Sequence, residues 1–148
     1  MITEAQQATI NEALNILHNT LIRGVEFNNS TTVKDFLALE LALLQQEVFA
    51  VLFLDSQHRL ISFEKMFFGT INAAAVYPRE VVRKALELNA AAVIFGHNHP
   101  SGNSEPSRAD IAITRNLTTI LNIIDVQVLD HVVVSPIDQT SMSESGLI

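Results

Sequence analysis

Apolar and polar positions along this chain fall into blocks of different period, and the texture changes at Glu47. Behind Thr3-Glu4-Ala5-Gln6, which has the spacing of a helix-starting box, Ile10, Leu14, Leu17 and Leu21 recur at helical intervals and predict an amphipathic first helix. Gly24 and the polar run Asn28-Asn29-Ser30-Thr31 end it. A second helix is expected from Thr32 or Val33 to about Leu44, with Phe36, Leu37, Leu41 and Leu44 as its apolar positions. From Val48 to Leu54 the run is continuously apolar and bounded by Asp55-Ser56-Gln57, the pattern of a buried strand turning into a partner at Leu60-Ile61-Ser62-Phe63.

After a loop containing Gly69, Pro78 stands where the first turn of a helix accepts it, and Val81, Val82, Ala85, Leu86 and Leu88 supply that helix's apolar side. Ala91 to Phe95 is short, apolar and closed by Gly96, which predicts a central strand. A loop carrying Pro100, Gly102 and Pro106 follows, then a helix from Ser107 with Ile111, Ile113, Leu117, Ile120, Leu121 and Ile124. Val126 to Val134 reads as a last strand, and the polar tail from Ser135 to Glu144 as loosely held. The alternation of strands and helices makes the fold class α/β.

Composition narrows the function. With 148 residues, 48% of them hydrophobic, the chain can form one compact domain with a core. No run approaches the roughly 18 apolar residues of a membrane span, and a signal-peptide pattern is missing, so a cytoplasmic protein is expected. The net charge of −7 argues against direct nucleic-acid binding, which draws its affinity from basic side chains on phosphates. Because there is no cysteine, a thiol nucleophile and a disulfide framework are excluded, and any metal must be held by nitrogen and oxygen.

The candidate chemistry lies in the run from His97 to Asp110. Residues i and i+2 of an extended segment project to one side, so His97 and His99 can reach one ion while Asn98 points away. Asp110, in the first turn of the next helix, can fold back as a third ligand and leave one position open. That is the donor set of one hydrolytic Zn2+ per chain, which lowers the pKa of water from about 16 to about 7. A base must come from elsewhere in the sheet, and Glu47, heading an apolar strand, is the candidate, with Glu40, Glu64 and Glu80 as alternatives. Ser107 would donate a hydrogen bond to a developing oxyanion. Ser107-x-x-Asp110 is equally a capping box.

Glu47, then His97-x-His99, seven residues, Ser107, two residues and Asp110 resemble the JAMM, or MPN-plus, metalloprotease signature. The phrases His97-Asn98-His99-Pro100-Ser101-Gly102, Pro106-Ser107-Arg108-Ala109-Asp110 and Leu129-Asp130-His131 resemble the RadC branch of that family. The resemblance implies a JAB/MPN-type, cytidine-deaminase-like curved mixed sheet flanked by helices over residues 32–148, with residues 1–31 as an N-terminal helical extension. It also implies one zinc and hydrolysis of amide or isopeptide bonds in a peptide or protein substrate. A non-hydrolytic accessory protein of DNA repair or mobile elements is the alternative. Longer RadC proteins carry a helix-hairpin-helix region that residues 1–31 are too few and too acidic to supply, so a stand-alone module is expected.

Other residues carry less. His131 beside Asp130 reads as a hydrogen-bonded core residue or as a pair orienting a ligand. His18 and His58 read as solvated, and Met66-Phe67-Phe68 as core or dimer contact, which leaves a homodimer open. Adjacent His-Asn-His does not make a nuclease of the dispersed ββα-metal kind.

Overall fold

A computed structural model describes residues 1–22, 26–69 and 74–148, the side chains of residues 20–22 excepted. Its elements are α1 (Glu4–Ile22), α2 (Ser30–Leu41), β1 (Val48–Leu54), β2 (Leu60–Phe68), α3 (Pro78–Glu87), β3 (Ala92–Asn98), α4 (Arg108–Ile123), β4 (Gln127–Val134) and β5 (Gln139–Ser141). The places expected for the Leu21 side chain and for Gly24 lie outside the described residues. Among the described residues, no helix is long and apolar enough to cross a membrane.

Local chemistry sets most boundaries. At the start of α1 the box is reciprocal: Gln6 N–H donates to Thr3 Oγ1 and Thr3 N–H to Gln6 Oε1. Asn29 caps α2 by accepting from Thr31 N–H, so this helix begins at Ser30, earlier than its apolar period indicates. It also stops at Leu41, short of the expected Leu44, where Leu44 N–H turns to Leu41 O in a tighter i→i+3 bond.

The five strands form one mixed sheet in the order β2-β1-β3-β4-β5, with β3 and β4 parallel and the other pairs antiparallel. Every residue of β1 is buried, because both faces of the sheet are covered. Ala50, Leu52 and Leu54 of β1 pack with Ile94, Val132 and the α2 residues Val33, Phe36 and Leu37. Phe49, Val51 and Phe53 pack on the other face with Val93, Phe95, Val81 and Ala85 of α3, and Leu117 and Leu121 of α4. Each such side chain contributes roughly 1.5–3 kcal/mol by leaving water, so a charge is tolerated only where the strand ends. Glu47 stands at that end.

Three expectations are corrected. First, β3 does not end at Gly96 but continues to Asn98. A Cβ at Gly96 would lie 2.6 Å from Cδ2 and 2.9 Å from Cδ1 of the fully buried Leu37, so the glycine admits α2 to the sheet rather than breaking the strand. Second, the tail is held: β5 pairs with β4, Met142 is fully buried, and Asp130 accepts from Ser141 Oγ and Ser143 N–H. Third, His18 is not simply solvated but meets the buried carboxylate of Glu40, which Lys65 also reaches at 3.0 Å. His58 is half-buried in the β1–β2 turn at φ 60°. Of the apolar trio, Phe67 is core and Phe68 is exposed at the end of β2.

Because the clash at Gly96 is with one side chain, Gly96→Ala should destabilise the fold by about 1–3 kcal/mol in urea unfolding. Combined with Leu37→Ala, itself worth about 2–5 kcal/mol, it should cost clearly less than the sum of the two. Strict additivity would show that the two positions do not press on each other.

Candidate metal centre

Strand alternation turns the His97 side chain to the α3 and α4 face and the Asn98 side chain to the α2 face. His99 extends the parallel ladder by one bond, its N–H donating to Val134 O. The two rings then meet, with their Nε2 atoms 2.9 Å apart. Past the strand, the chain reverses at Gly102, which has φ +96° and donates its N–H to His99 O. This return brings the start of α4 over the histidines.

Ser107 caps α4 and the capping box is complete: Ser107 Oγ accepts from Asp110 N–H, and Asp110 Oδ2 accepts from Ser107 N–H at 2.8 Å. The same box aims the carboxylate. Asp110 Oδ1 lies 3.2 Å from His97 Nε2, and Oδ2 lies 3.1 Å from His99 Nε2. The cap and the aim of the carboxylate at the histidines are therefore one arrangement. Donors around a tetrahedral ion with bonds of about 2.0–2.1 Å stand about 3.3 Å apart, so the two Nε2 atoms and the Asp110 carboxylate have spacings suited to zinc.

The donor chemistry fits as well. His99 Nδ1 lies 2.8 Å from Asn103 O, and a carbonyl only accepts, so the proton sits on Nδ1 and Nε2 presents a lone pair. An electron pair on imidazole and a carboxylate facing each other in a mostly buried site call for a positive charge between them, either a proton or a metal cation. The titration behaviour agrees. The Asp110 hydrogen bond raises His99 above its ordinary value, against burial and with help from Asn103. For Asp110, burial pushes the carboxyl up, but its close pairing with the two histidines outweighs it and carries it far below the carboxylate range.

Glu47 joins this group because β1 and β3 are antiparallel neighbours with Phe49 opposite His97. Its Oε1 stands 3.9 Å from His97 Nε2, set back from the three donors, and its side chain is 12% exposed. Burial raises its pKa, partly offset by His97 and His99. The alternatives are engaged elsewhere: Glu40 with His18 and Lys65, Glu64 with Ser62 and Lys84, Glu80 with Arg83. All four groups open on a cleft of about 470 Å³ whose apolar walls include Phe49, Val76, Ala109 and Ile113 and which Ser107 also borders. Among the described residues, no lysine or arginine lines it.

Two supporting residues were not assigned from sequence. Asn98 is fully buried; its Oδ1 accepts from Val48 N–H while its amide donates to Leu44 O and Gln46 O, fixing the turn that carries Glu47. His131 is fully buried beside His97, with its Nε2 2.7 Å from His97 Nδ1. Burial, reinforced by the neighbouring His97, drives its pKa well below the ordinary value and keeps it neutral. The sequence signal for His131 was the reading of a pair that orients a ligand. Asp130 has another use, since it caps the tail.

Comparison with known proteins follows the same lines. A family model for the RadC-like JAB domain matches residues 27–147. The chain belongs to that family. It is 53% identical over 95% of its length to a UPF0758 protein of Methylibium petroleiphilum, of which it spans 64%. A UPF0758 protein of Vibrio cholerae is 50% identical, with 95% of this chain and 89% of the relative covered. A third, from Pseudoalteromonas translucida, is 51% identical over 96% of this chain and 63% of the relative. The chain therefore spans a little under two thirds of two of these three relatives. JAB domains include metalloproteases, and the RadC-like JAB domain here carries a Glu47, His97, His99 and Asp110 group able to bind a metal.

The His99 and Asp110 shifts make the stability of the chelator-treated RadC-like JAB domain depend on pH. A raised histidine stabilises fully below its unfolded value of about 6.5, and that contribution is lost as pH rises through the raised folded value. The depressed Asp110 stabilises above about 3.9, and its contribution is lost as pH falls. Thermal unfolding should therefore show stability declining above pH 6.5, with the decline removed in Asp110→Asn. An unchanged slope in that variant would separate the pair from the pH effect.

Proposed function

We propose that this protein is a zinc-dependent peptidase or isopeptidase that holds one zinc per chain with His97 Nε2, His99 Nε2 and the Asp110 carboxylate. The observation that carries this reading is the set of 2.9–3.2 Å separations among those donors, with Glu47 standing back at 3.9 Å. A bound zinc would supply Lewis-acid polarisation of the substrate carbonyl and a nucleophile at neutral pH.

The chain's own groups do the rest. Glu47 is too far back to be a close ligand but within reach of a proton on a bridging water, and its raised pKa suits a base that takes a proton at Oε1 and returns it to the leaving amine. Ser107 Oγ is fixed as an acceptor by Asp110 N–H, which leaves its O–H free to donate to the oxyanion of the tetrahedral carbon. Asn98 holds the Glu47 turn, and the capping box holds Asp110. The cleft has apolar walls, and among the described residues no basic side chain lines it, which favours a peptide or protein over a phosphate-bearing polymer. On this reading the protein works in the cytoplasm on an amide or isopeptide bond.

Chelated protein titrated with Zn2+ should take up about one equivalent, and His97→Ala or Asp110→Ala should abolish that uptake. Screened against peptide and isopeptide libraries, Glu47→Gln should retain the metal and lose roughly a hundredfold or more in turnover. A well-folded wild type that takes up no zinc would favour the non-hydrolytic accessory role instead. Loss of metal in Glu47→Gln would make Glu47 a ligand rather than a base.

A further inference from the structure

The nitrogen of His97 that faces away from the cleft enters a buried chain of groups that the mechanism above does not use. His97 Nδ1 lies 2.7 Å from His131 Nε2; His131 Nδ1 lies 2.5 Å from Thr114 Oγ1; and Thr114 Oγ1 lies 2.6 Å from Asp110 O. His131 and Thr114 are both fully buried. The chain thus begins at one proposed ligand and ends on the main chain of another.

Its far end sets its direction. Asp110 O is a carbonyl and can only accept, so the Thr114 hydroxyl proton points at it. The reversed hydroxyl would leave two oxygens 2.6 Å apart with no proton between them. With its single proton spent, Thr114 Oγ1 must accept from His131 Nδ1–H. The His131 ring is fully buried among Phe49, Phe95, His97 and Thr114, where an unpaired charge would be costly, so its Nε2 is bare and must accept from His97 Nδ1–H. Turning the His131 ring over would put carbons where Nε2 and Nδ1 now meet His97 and Thr114 and would forfeit both bonds.

We infer that Thr114 and His131 are positioning residues that fix the ring tautomer of His97, so that its Nε2 presents a bare electron pair to the cleft. Imidazole ligands are ordinarily oriented by a carboxylate, a carbonyl or water on the second nitrogen. Here a second histidine serves, and a threonine one helical turn after Asp110 dictates its polarity. The inference rests on the metal reading only in saying what the electron pair is for; the tautomer itself is independent of it.

The experiment has two arms on the full 148-residue chain. In the first, ring-nitrogen NMR of the chelator-treated wild type at mildly alkaline pH should show His97 and His131 both protonated at Nδ1. A proton on His97 Nε2 would overturn the inference whether or not the protein binds metal. In the second arm, Zn2+ affinity is compared across variants, with amide spectra and unfolding curves to check the fold. Thr114→Val keeps the branched shape but deletes the acceptor, and should weaken Zn2+ binding about 10–100-fold. Thr114→Ser restores the hydroxyl and should restore affinity. His131→Gln, whose amide can accept from His97 and donate to Thr114, should stay nearer wild type than His131→Leu. Equal affinity in Thr114→Val and Thr114→Ser would contradict the relay. A wild type that shows the Nδ1 tautomers yet binds no Zn2+ would sink the hydrolase reading and leave the relay standing.

Discussion

The antiparallel pairing of β1 with β3, which sets Phe49 opposite His97 and Ala50 opposite Gly96, is the constraint from which the candidate site descends. One residue beyond the last such pair, Asn98 accepts from Val48 N–H, and one further still Glu47 and His99 flank the cleft. A slip by one residue would turn His97 to the α2 face and break that clamp. The register is itself held by burial, since every residue of both strands is buried and each face of the sheet has its own cluster. Core packing and site geometry are therefore the same fact seen at two ends of the strand.

A cluster of two imidazoles and two carboxylates at the edge of a core is costly unless its groups satisfy one another. Here they do: among the described residues, no buried side-chain nitrogen or oxygen lacks a partner. His131 and Thr114 carry the network inward from His97, the capping box carries it along α4, and Asn98 carries it across to the α2–β1 turn. Each of these side chains thus has its orientation set by a rigid element, so a cation would meet little reorganisation there. The cleft side of the cluster is the face left to solvent.

Much of this was legible locally. Val48–Leu54 could be read as a buried strand because its apolar run is bounded by turn residues, and the start of α4 could be read because Ser107 and Asp110 spell a capping box. Gly96 misled because its reason is not local: the side chain it makes room for, Leu37, lies on α2, far away in sequence. Likewise the tail looked loose from its polar residues, yet those residues bond to Asp130 while Met142 fills the core. His131 was ambiguous because its partner is chosen by the parallel register of β3 with β4, which no periodicity in either strand reveals. The set-back position of Glu47 likewise comes from tertiary pairing and not from its neighbours in sequence.

The most direct test is a crystal structure of the zinc-soaked protein with anomalous data collected on either side of the zinc edge. The account predicts one zinc peak per chain, bonded to His97 Nε2, His99 Nε2 and one Asp110 oxygen, with Glu47 unbonded and the fourth direction open to the cleft. A peak elsewhere, no peak at this site, or Glu47 closing the coordination sphere would contradict it.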